Sequence, residues 1–178
     1  MRFESFSFAP EILRAISECG YEKMTPIQQQ AIPAVRRGQD VLASAQTGTG
    51  KTAAFALPIL QKMLDNPSTT GRSNARALIL TPTRELAAQI ADNVNDYAKY
   101  LDISVVTIFG GVKMDTQATK LKRGADIIIA TPGRLLEHIV ACNLSLSNVE
   151  SLVLDEADRM LDMGFSADIQ KILQAVNK

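Results

Sequence analysis

The most informative stretch of this sequence is glycine-rich: Ala45-Gln46-Thr47-Gly48-Thr49-Gly50-Lys51-Thr52. It fits the phosphate-binding loop pattern G-x-x-x-x-G-K-[ST] at every position but the first, where alanine replaces glycine. Gly48 and Gly50 let the backbone curl so that successive N–H groups point at phosphate oxygens. In this pattern Lys51 reaches the β- and γ-phosphates, and the Thr52 hydroxyl ligates Mg²⁺. The stretch predicts a nucleoside triphosphate site, with a chance glycine-rich turn as the alternative.

The residues on either side of the loop support that interpretation. Residues 41–45 are typical of a strand, and the run from Ala53 onward is typical of a helix. We expect the helix to begin near Gly50, so that the positive end of its dipole favours phosphate.

Two adjacent carboxylates follow a second apolar run, Ser151-Leu152-Val153-Leu154, in the segment Asp155-Glu156-Ala157-Asp158. Acidic residues after a strand are often only a solvated turn. Beside a phosphate-binding loop, however, Asp155 matches the carboxylate that holds Mg²⁺ in P-loop enzymes. Glu156 is then suited to position or deprotonate the attacking water. With Lys51, these two residues are the predicted catalytic residues for nucleotide hydrolysis.

Length and composition indicate one globular domain. A chain of 178 residues, 46% of them hydrophobic, can bury roughly 70% of its unfolded surface. The formal net charge is zero, which argues against a strongly basic grip on nucleic acid but leaves room for a local patch. The sequence has neither a signal-peptide core nor a membrane-spanning run. We expect a cytoplasmic protein without membrane contact, with Cys19 and Cys142 reduced.

Strand-like and helix-like segments alternate along the chain. Continuous apolar runs, typical of strands buried on both faces, occur at residues 41–45, 77–80, 105–109, 127–130 and 152–154. Helical patterns occupy residues 10–19, 27–36, 84–100 and 134–140. The alternation predicts an α/β fold with a mostly parallel central sheet, right-handed crossovers and helices on both faces. The polar, turn-rich stretch 65–74 is predicted to be a surface loop.

An ordered set of motifs resembles the DEAD-box RNA helicases, whose name comes from the sequence at 155–158. Gly20-Tyr21 with Thr25-Pro26-Ile27-Gln28 resembles their Q motif, and residues 45–52 resemble their motif I. Pro82-Thr83-Arg84-Glu85-Leu86-Ala87 resembles motif Ia, and Gly110-Gly111 and Thr131-Pro132-Gly133-Arg134 resemble the RNA-contact motifs of the first domain. The resemblance covers nearly the whole chain and is closest to the bacterial RhlE-type branch. One departure is Met24, where the family usually has proline.

The resemblance implies that residues 1–178 are the first RecA-like, ATP-binding domain of a helicase, with a Q-motif region at about 1–29. Its implied cofactors are ATP and Mg²⁺. Its implied partners are RNA and a second RecA-like domain, which supplies arginines to the γ-phosphate and half of the RNA cleft. Asp158 is implied in coupling the two domains. We expect an isolated, monomeric first domain that is nearly inactive as an ATPase, with a naturally short protein as the alternative.

Adenine recognition is predicted from Gln28, because a glutamine amide offers the donor and acceptor that match the N6/N7 edge of adenine. By its place in the family, Phe3 would stack on the base, with simple packing as the alternative. Phe6 and Phe8 are assigned to packing. The predicted ATP-binding set is Phe3, Tyr21, Gln28, Ala45, Gln46, Thr47, Gly48, Thr49, Gly50, Lys51 and Thr52.

RNA binding is predicted from residues that suit a sugar-phosphate track. Glycines let backbone N–H groups approach phosphates, threonines offer hydroxyls, and arginines offer forked donors. Each segment follows a predicted strand, so all should share the sheet edge where α/β ligand sites lie. The predicted set is Thr83, Arg84, Gly110, Gly111, Thr131, Gly133 and Arg134. The alternatives are ion pairs of Arg84 with Glu85 or Asp92, and of Arg134 with Glu137 or Asp158.

Two other function classes stay open. A different P-loop enzyme, such as a GTPase or kinase, is disfavoured because the sequence has neither an Asn-Lys-x-Asp guanine reader nor an Asp-x-x-Gly switch. The second class is a non-catalytic RNA-binding module, in which nucleotide only regulates the affinity for RNA.

A cluster of basic residues is explained equally well by a solvated helix face and is left out of the site: Lys113, Lys120, Lys122 and Arg123. His138, the single histidine, is assigned to packing or to the surface.

Overall fold

The computed structural model of the chain describes residues 1–44, 50–68 and 74–176. By its internal contacts the chain divides into two compact units. The first comprises Met1–Ser68 and Asp92–Asp102, and the second comprises Thr69–Ala91 and Ile103–Lys178. Within the described residues, no helix is both long and apolar enough to cross a bilayer.

The first unit is helical. A short 3₁₀ helix at Phe3–Phe6 precedes α1 (Pro10–Glu18), α2 (Pro26–Arg36) and α3 (Lys51–Asp65). Prolines occupy the first positions of α1 and α2, where a missing N–H costs nothing because the first turn leaves its donors unpaired. The largest fully buried side chains among the described residues of this unit are Phe3, Ile12, Ile16, Ile32, Leu57 and Leu60.

The second unit is built on a four-stranded parallel sheet in the order β2-β3-β1-β4. Its strands are β1 (Ala77–Leu80), β2 (Val105–Ile108), β3 (Ile127–Ala130) and β4 (Ser151–Leu154). The last residues of the strands are in register: Ala130 lies beside Ile108 and Leu80, and Leu80 lies beside Leu154. The segments that follow the strands therefore leave the sheet at one edge.

Helices connect and cover the strands. They are α4 (Arg84–Tyr97), whose last residues count with the first unit, α5 (Met114–Lys122), α6 (Pro132–Val140), α7 (Ala157–Asp162) and α8 (Ser166–Val176). Every residue of the central strands β1 and β3 is buried, as continuous apolar runs require. Leu78, Ile128, Leu135, Met160 and Ile172 belong to one buried cluster of this unit.

The structure contradicts one predicted strand and ends other predicted elements earlier than expected. Residues 41–44 form no strand, and Leu42 is fully exposed, because an apolar run becomes a strand only when another strand pairs with it. Ala45 lies outside the described residues. The predicted helix 84–100 ends at Tyr97, and the predicted strand 105–109 ends at Ile108. Of the predicted loop 65–74, Asp65 closes α3, and residues 69–73 lie outside the described part.

Candidate functional site

The described part of the predicted phosphate-binding loop lies at the start of α3. Gly50 has φ +81°, a left-handed conformation that favours glycine, and Lys51 and Thr52 are the first helical residues. No side chain caps this helix end among the described residues. First-turn N–H groups have no acceptor within a helix, and the dipole there favours an anion. The five preceding predicted residues, Ala45, Gln46, Thr47, Gly48 and Thr49, lie outside the described residues.

Gln28 lies in the first turn of α2 and is almost fully buried, with 2% of its surface exposed. Its Oε1 accepts a hydrogen bond from the Thr25 N–H at 3.0 Å, and the Thr25 hydroxyl accepts one from the Gln28 N–H. These reciprocal bonds form a capping box, which satisfies donors that a helix start leaves unpaired. The Gln28 Nε2 donates to the Gly50 carbonyl at 3.1 Å. One amide thus links the start of α2 to the residue that precedes α3.

Close approach explains why position 50 suits a glycine. A β-carbon added to Gly50 would lie 2.3 Å from the Gln28 Nε2 and 3.2 Å from the Thr25 Cγ2. Real β-carbons essentially never show the shorter of these two distances, so the Gln28 amide would have to shift, and a side chain would also be strained at this positive φ. The link between Gln28 and the loop therefore depends on Gly50.

The predicted base-stacking residue, Phe3, is packed against another aromatic ring. Phe3 is 2% exposed, and its ring stacks on Tyr21 with centroids 6.5 Å apart. The Tyr21 hydroxyl lies 3.3 Å from the Tyr97 hydroxyl, and burial, then this hydrogen bond, raises the pKa of Tyr97 far above its usual range. Stacking on a base would require Phe3 to leave this position. Tyr21 is the exposed member of the group, at 38%.

Met24 takes part in the same region through its backbone. Its N–H donates to the Met1 carbonyl at 2.9 Å, next to a bridge between Arg2 and Lys23. A proline has no N–H to donate. The departure from the family pattern at this position therefore gives the N-terminal segment a hydrogen bond that proline would remove.

In the second unit, the acidic pair leaves the sheet edge directly after β4. The Asp155 N–H donates to the Leu80 carbonyl at 2.8 Å, which extends the pairing of β4 with β1, and Asp155 is 7% exposed. Glu156 has φ +52°, and its Oε2 lies 3.4 Å from the Arg159 Nη1. A left-handed non-glycine residue costs about 1–3 kcal/mol and is typical of functional sites. Asp158 lies in the first turn of α7.

This acidic pair has the chemistry that Mg²⁺ needs. Mg²⁺ is held by one or two carboxylates together with water and substrate phosphates, rather than by a cage of protein ligands. Asp155 offers a carboxylate at a strand end, where α/β ligand sites lie. Thr52, at the start of α3, offers the hydroxyl of the predicted loop pattern. Each of these residue types, taken by itself, therefore suits Mg²⁺.

A loop of residues 109–112, which we call the glycine loop, follows β2 and contains Gly110 and Gly111. Gly111 has φ +84°, and a β-carbon there would lie 2.8 Å from the Arg84 Nη1. The Arg84 guanidinium also lies over the Phe109 ring, 5.2 Å from its centroid. Arg84, the first residue of α4, thus rests on the glycine loop. The structure brings together three of the predicted RNA contacts, Arg84, Gly110 and Gly111.

Arg134, in the first turns of α6, also reaches the glycine loop. Its Nη1 donates to the Val112 carbonyl at 2.6 Å and to the Gln117 Oε1 at 3.1 Å. Its Nε pairs with the Glu137 carboxylate at 2.9 Å. The alternative of an ion pair with Glu137 is therefore present, and it exists together with loop contacts that the sequence did not reveal.

The predicted threonines mark helix starts. The Thr83 hydroxyl accepts a hydrogen bond from the Leu86 N–H at 3.2 Å and so caps α4. Thr131 is the N-cap residue of α6 without a side-chain cap, and Gly133 follows in the first turn. Both helices begin at the edge where the strands end, with N-termini that favour anions.

Two buried residues that sequence reasoning left out of the site are hydrogen-bonded to each other, and one of them, Gln117, is also bonded to Phe109 and Arg134. Gln117 is 3% exposed and His138 is 0% exposed, and they meet at 2.9 Å between the Gln117 Oε1 and the His138 Nε2. Burial, then the charge of Arg134, lowers the pKa of His138, so the ring is neutral. A lone histidine and glutamine carry no spacing signal, and only the pairing of β2 with β3 brings them together.

Comparison with known proteins gives a consistent set of relatives. The family described as DEAD/DEAH box helicase matches residues 25–178. The chain is 47% identical over 171 residues to the ATP-dependent RNA helicase SrmB of Haemophilus influenzae, covering 96% of this chain and 39% of that protein. It is 44% identical over 175 residues to the ATP-dependent RNA helicase DeaD of Escherichia coli, covering 98% of this chain and 27% of that protein.

A solved structure confirms the fold class. The crystal structure of a hypothetical ATP-dependent RNA helicase from Sulfolobus tokodaii matches with a TM-score of 0.83 and 39% identity, over 93% of this chain and 46% of that chain. The predicted RecA-like α/β fold with a parallel sheet is thereby confirmed. The chain spans less than half the length of each of these three proteins.

Proposed function

The chain belongs to the DEAD/DEAH box helicase family, and on that premise we propose that it is the ATP- and RNA-binding first domain of an ATP-dependent RNA helicase. The whole enzyme would couple ATP hydrolysis to local unwinding or remodelling of RNA duplexes. The observation that carries the proposal is the in-register sheet edge, from which the acidic pair and both arginine segments emerge. The names of SrmB and DeaD, both ATP-dependent RNA helicases, support it.

ATP and Mg²⁺ are the proposed cofactors. The start of α3 offers N–H donors and a dipole that attract phosphate oxygens. Lys51 neutralises the β- and γ-phosphates, and the Thr52 hydroxyl ligates the ion. Gln28 reads the adenine edge, and Tyr21 supplies exposed aromatic surface to the base. Phe3, which is packed against Tyr21, would have to leave its buried position to stack on the base. Gly50 is left-handed, and a β-carbon there would lie 2.3 Å from the Gln28 Nε2, which supports a loop shaped for close contact between backbone and ligand.

Hydrolysis is assigned to the acidic pair. Asp155 would hold Mg²⁺, partly through water, and Glu156 would orient the attacking water. The water oxygen bonds to the γ-phosphorus while the bond from that phosphorus to the β-phosphate oxygen breaks and ADP leaves, and the Glu156 carboxylate accepts the proton of the water. The bound ion supplies charge neutralisation across the phosphates. Asp158 couples this chemistry to a second RecA-like domain.

RNA is the proposed macromolecular partner, held through its backbone. The track comprises Thr83, Arg84, Gly110, Gly111, Thr131, Gly133 and Arg134. Arginines, hydroxyls and glycine N–H groups recognise phosphates and sugars, which carry no base sequence. We therefore propose that RNA is bound with little sequence specificity. We also propose that the chain is monomeric and located in the cytoplasm. The alternative, a nucleotide-regulated RNA-binding module without turnover, applies to this chain when no second domain is present.

Nucleotide binding is the decisive experiment. The chain would be titrated with ATP, ADP, GTP and AMP, with and without Mg²⁺. The proposal expects adenine nucleotides to be preferred, with a contribution from Mg²⁺ for ATP. Equal binding of GTP and ATP, or no binding of either, would contradict it.

A further inference from the structure

Gln117 and His138 form a buried polar pair that reaches the glycine loop. The Gln117 Nε2 donates to the Phe109 carbonyl at 2.8 Å, and the Arg134 Nη1 donates to the Val112 carbonyl at 2.6 Å. These two carbonyls lie on either side of Gly110 and Gly111. Because glycines restrict the backbone least, the loop depends on such outside anchors for a single conformation.

The partners fix how the Gln117 amide is oriented. Its Oε1 faces the Arg134 guanidinium, which can only donate, and its Nε2 faces the Phe109 carbonyl, which can only accept. A flipped amide would set donor against donor and acceptor against acceptor. The oxygen of Gln117 therefore faces His138, and the His138 Nε2 must donate to it.

The other ring nitrogen completes the arrangement. The Asn143 Nδ2 lies 3.0 Å from the His138 Nδ1, and an amide nitrogen can only donate. His138 is thus the neutral tautomer with its proton on Nε2. Its lowered pKa, caused first by burial and then by Arg134, keeps it in that form. The hydrogen bonds therefore run in one sense from Asn143 through His138 and Gln117 to the glycine loop.

We propose that His138, acting through Gln117, is a positioning residue for RNA binding: it holds the glycine loop and Arg134 in the arrangement that accepts RNA phosphates. This rests on the proposed RNA-binding function. His138 is fully buried, and its Nε2 contacts the Gln117 Oε1. Its contribution is to keep the amide of Gln117 turned toward both the loop and Arg134. Without it, the Gln117 oxygen would keep only Arg134, and the loop would lose part of its support.

Three variants separate the role of His138 from that of Gln117. His138→Leu removes the donor to Gln117 while keeping an apolar side chain in the buried site, and His138→Gln restores a donor at a similar reach. Gln117→Glu keeps an acceptor for Arg134 and His138 but cannot donate to the Phe109 carbonyl. Leu146→Ala is the matched control, because Leu146 is buried in the same unit and lies outside the hydrogen-bonded set.

The experiment measures binding of a fluorescently labelled single-stranded oligouridylate, ADP affinity, and amide hydrogen exchange at Gly110 and Gly111. We expect His138→Leu and Gln117→Glu to weaken RNA binding about tenfold, as loss of a buried partner predicts, and to speed exchange at both glycines. ADP affinity should stay unchanged. His138→Gln should recover most of the loss, and Leu146→Ala should lower only thermal stability.

The outcomes distinguish this inference from the proposed function. If the unaltered chain binds the oligouridylate and His138→Leu binds it equally well, with unchanged exchange at the glycines, the positioning role is wrong and the RNA function stands. If Leu146→Ala weakens RNA binding as much as His138→Leu, the effect is one of general stability, and the inference fails. If the unaltered chain binds no RNA, the proposed function fails, and the RNA role of His138 fails with it.

Discussion

The side-chain amide of Gln28 donates a hydrogen bond from Nε2 to the carbonyl oxygen of Gly50, 3.1 Å away. The residue predicted to read the base is thus bonded to the residue that precedes α3, the helix predicted to bind phosphate. An amide has two donors and an oxygen with two lone pairs. Gln28 can therefore keep this bond while offering its remaining capacity to a base. Nucleotide binding and the position of Gly50 should be coupled through it.

Gln28→Ala should weaken ADP binding and abolish the preference for adenine over guanine. A buried amide paired with N6 and N7 of adenine would be left unsatisfied by guanine, which predicts discrimination of about 2–4 kcal/mol in the unaltered chain. Calorimetric titration with ADP and GDP measures this directly. Equal affinities for the two nucleotides in the unaltered chain would sink the adenine assignment.

Thr25→Ala is the matched control for Gln28. It removes the hydroxyl that caps α2 and should cost about 0.5–2 kcal/mol of stability, but it leaves the Gln28 amide in place. The ratio of ADP to GDP affinity should then be unchanged. Lost discrimination in this variant would trace the effect to the helix start rather than to contact with the base.

Gly111→Ala should destabilise the glycine loop, and Gly110→Ala should not. At Gly111 a β-carbon would meet the Arg84 Nη1 at 2.8 Å, and the positive φ adds strain of about 1–3 kcal/mol. At Gly110 a β-carbon meets nothing within 4 Å among the described residues. Urea denaturation of the two variants tests the difference. Equal midpoints would show that Arg84 and the loop adapt without cost.

The central strands could be predicted from the sequence because their signal is local. The apolar runs 77–80 and 127–130 match β1 and β3 residue for residue. Residues 41–45 are also a mainly apolar run, yet Leu42 is fully exposed and residues 41–44 form no strand. Strand formation requires a pairing partner, which no local pattern reveals.

The residues of the candidate site also fall into those that the sequence predicts and those that it does not. Gly50, Lys51, Asp155 and Glu156 could be nominated because their chemistry is written in contiguous motifs. The hydrogen bonds that support the glycine loop could not be predicted from the sequence. Gln117 lies 21 residues from His138 and 17 residues from Arg134, so no contiguous motif contains them. Their contacts exist because the parallel pairing of β2 with β3 sets α5 near α6. The prediction for His138, packing or surface, left out this polar role.

Acid should destabilise the fold through His138 alone between about pH 6.5 and pH 5. Burial, then the nearby Arg134, lowers the pKa of His138 from 6.5, while Glu137 partly offsets this. Below about pH 6.5 the unfolded chain therefore binds a proton that the folded chain does not, so stability falls as pH falls, by at most about 1.4 kcal/mol per pH unit. This chain has one histidine, and carboxylates titrate lower. Urea midpoints of the unaltered chain should fall from pH 7.5 to 5.5, and those of His138→Gln should not.

Glu156→Gln should preserve ATP binding and reduce hydrolysis at least about a hundredfold in a protein that carries both RecA-like domains. The amide keeps the size of the side chain but cannot accept the proton of the attacking water. Asp155→Asn should instead impair Mg²⁺-dependent binding, and Lys51→Ala should abolish productive phosphate binding. Parallel nucleotide titrations and steady-state turnover separate these roles. Hydrolysis by Glu156→Gln at the unaltered rate would show that another group activates the water.

Residues 1–178 alone should bind nucleotide yet hydrolyse it almost not at all. Phosphoryl transfer needs charge stabilisation at the γ-phosphate, and an arginine finger is worth roughly 10³–10⁵ in rate. Arg84 lies over the Phe109 ring, and Arg134 is bonded to Val112, Gln117 and Glu137. Both arginines therefore contact the glycine loop rather than a γ-phosphate.

RNA binding by residues 1–178 should be weak as well, because the chain has no net charge and a smaller contact with phosphates releases fewer counterions. A second RecA-like domain should raise both activities together, since closure around ATP assembles the hydrolytic site and the RNA cleft in one step. Steady-state ATPase rates, with and without single-stranded RNA, would be compared between residues 1–178 and the two-domain protein. RNA-stimulated turnover by residues 1–178 at the rate of the longer protein would refute the need for a second domain.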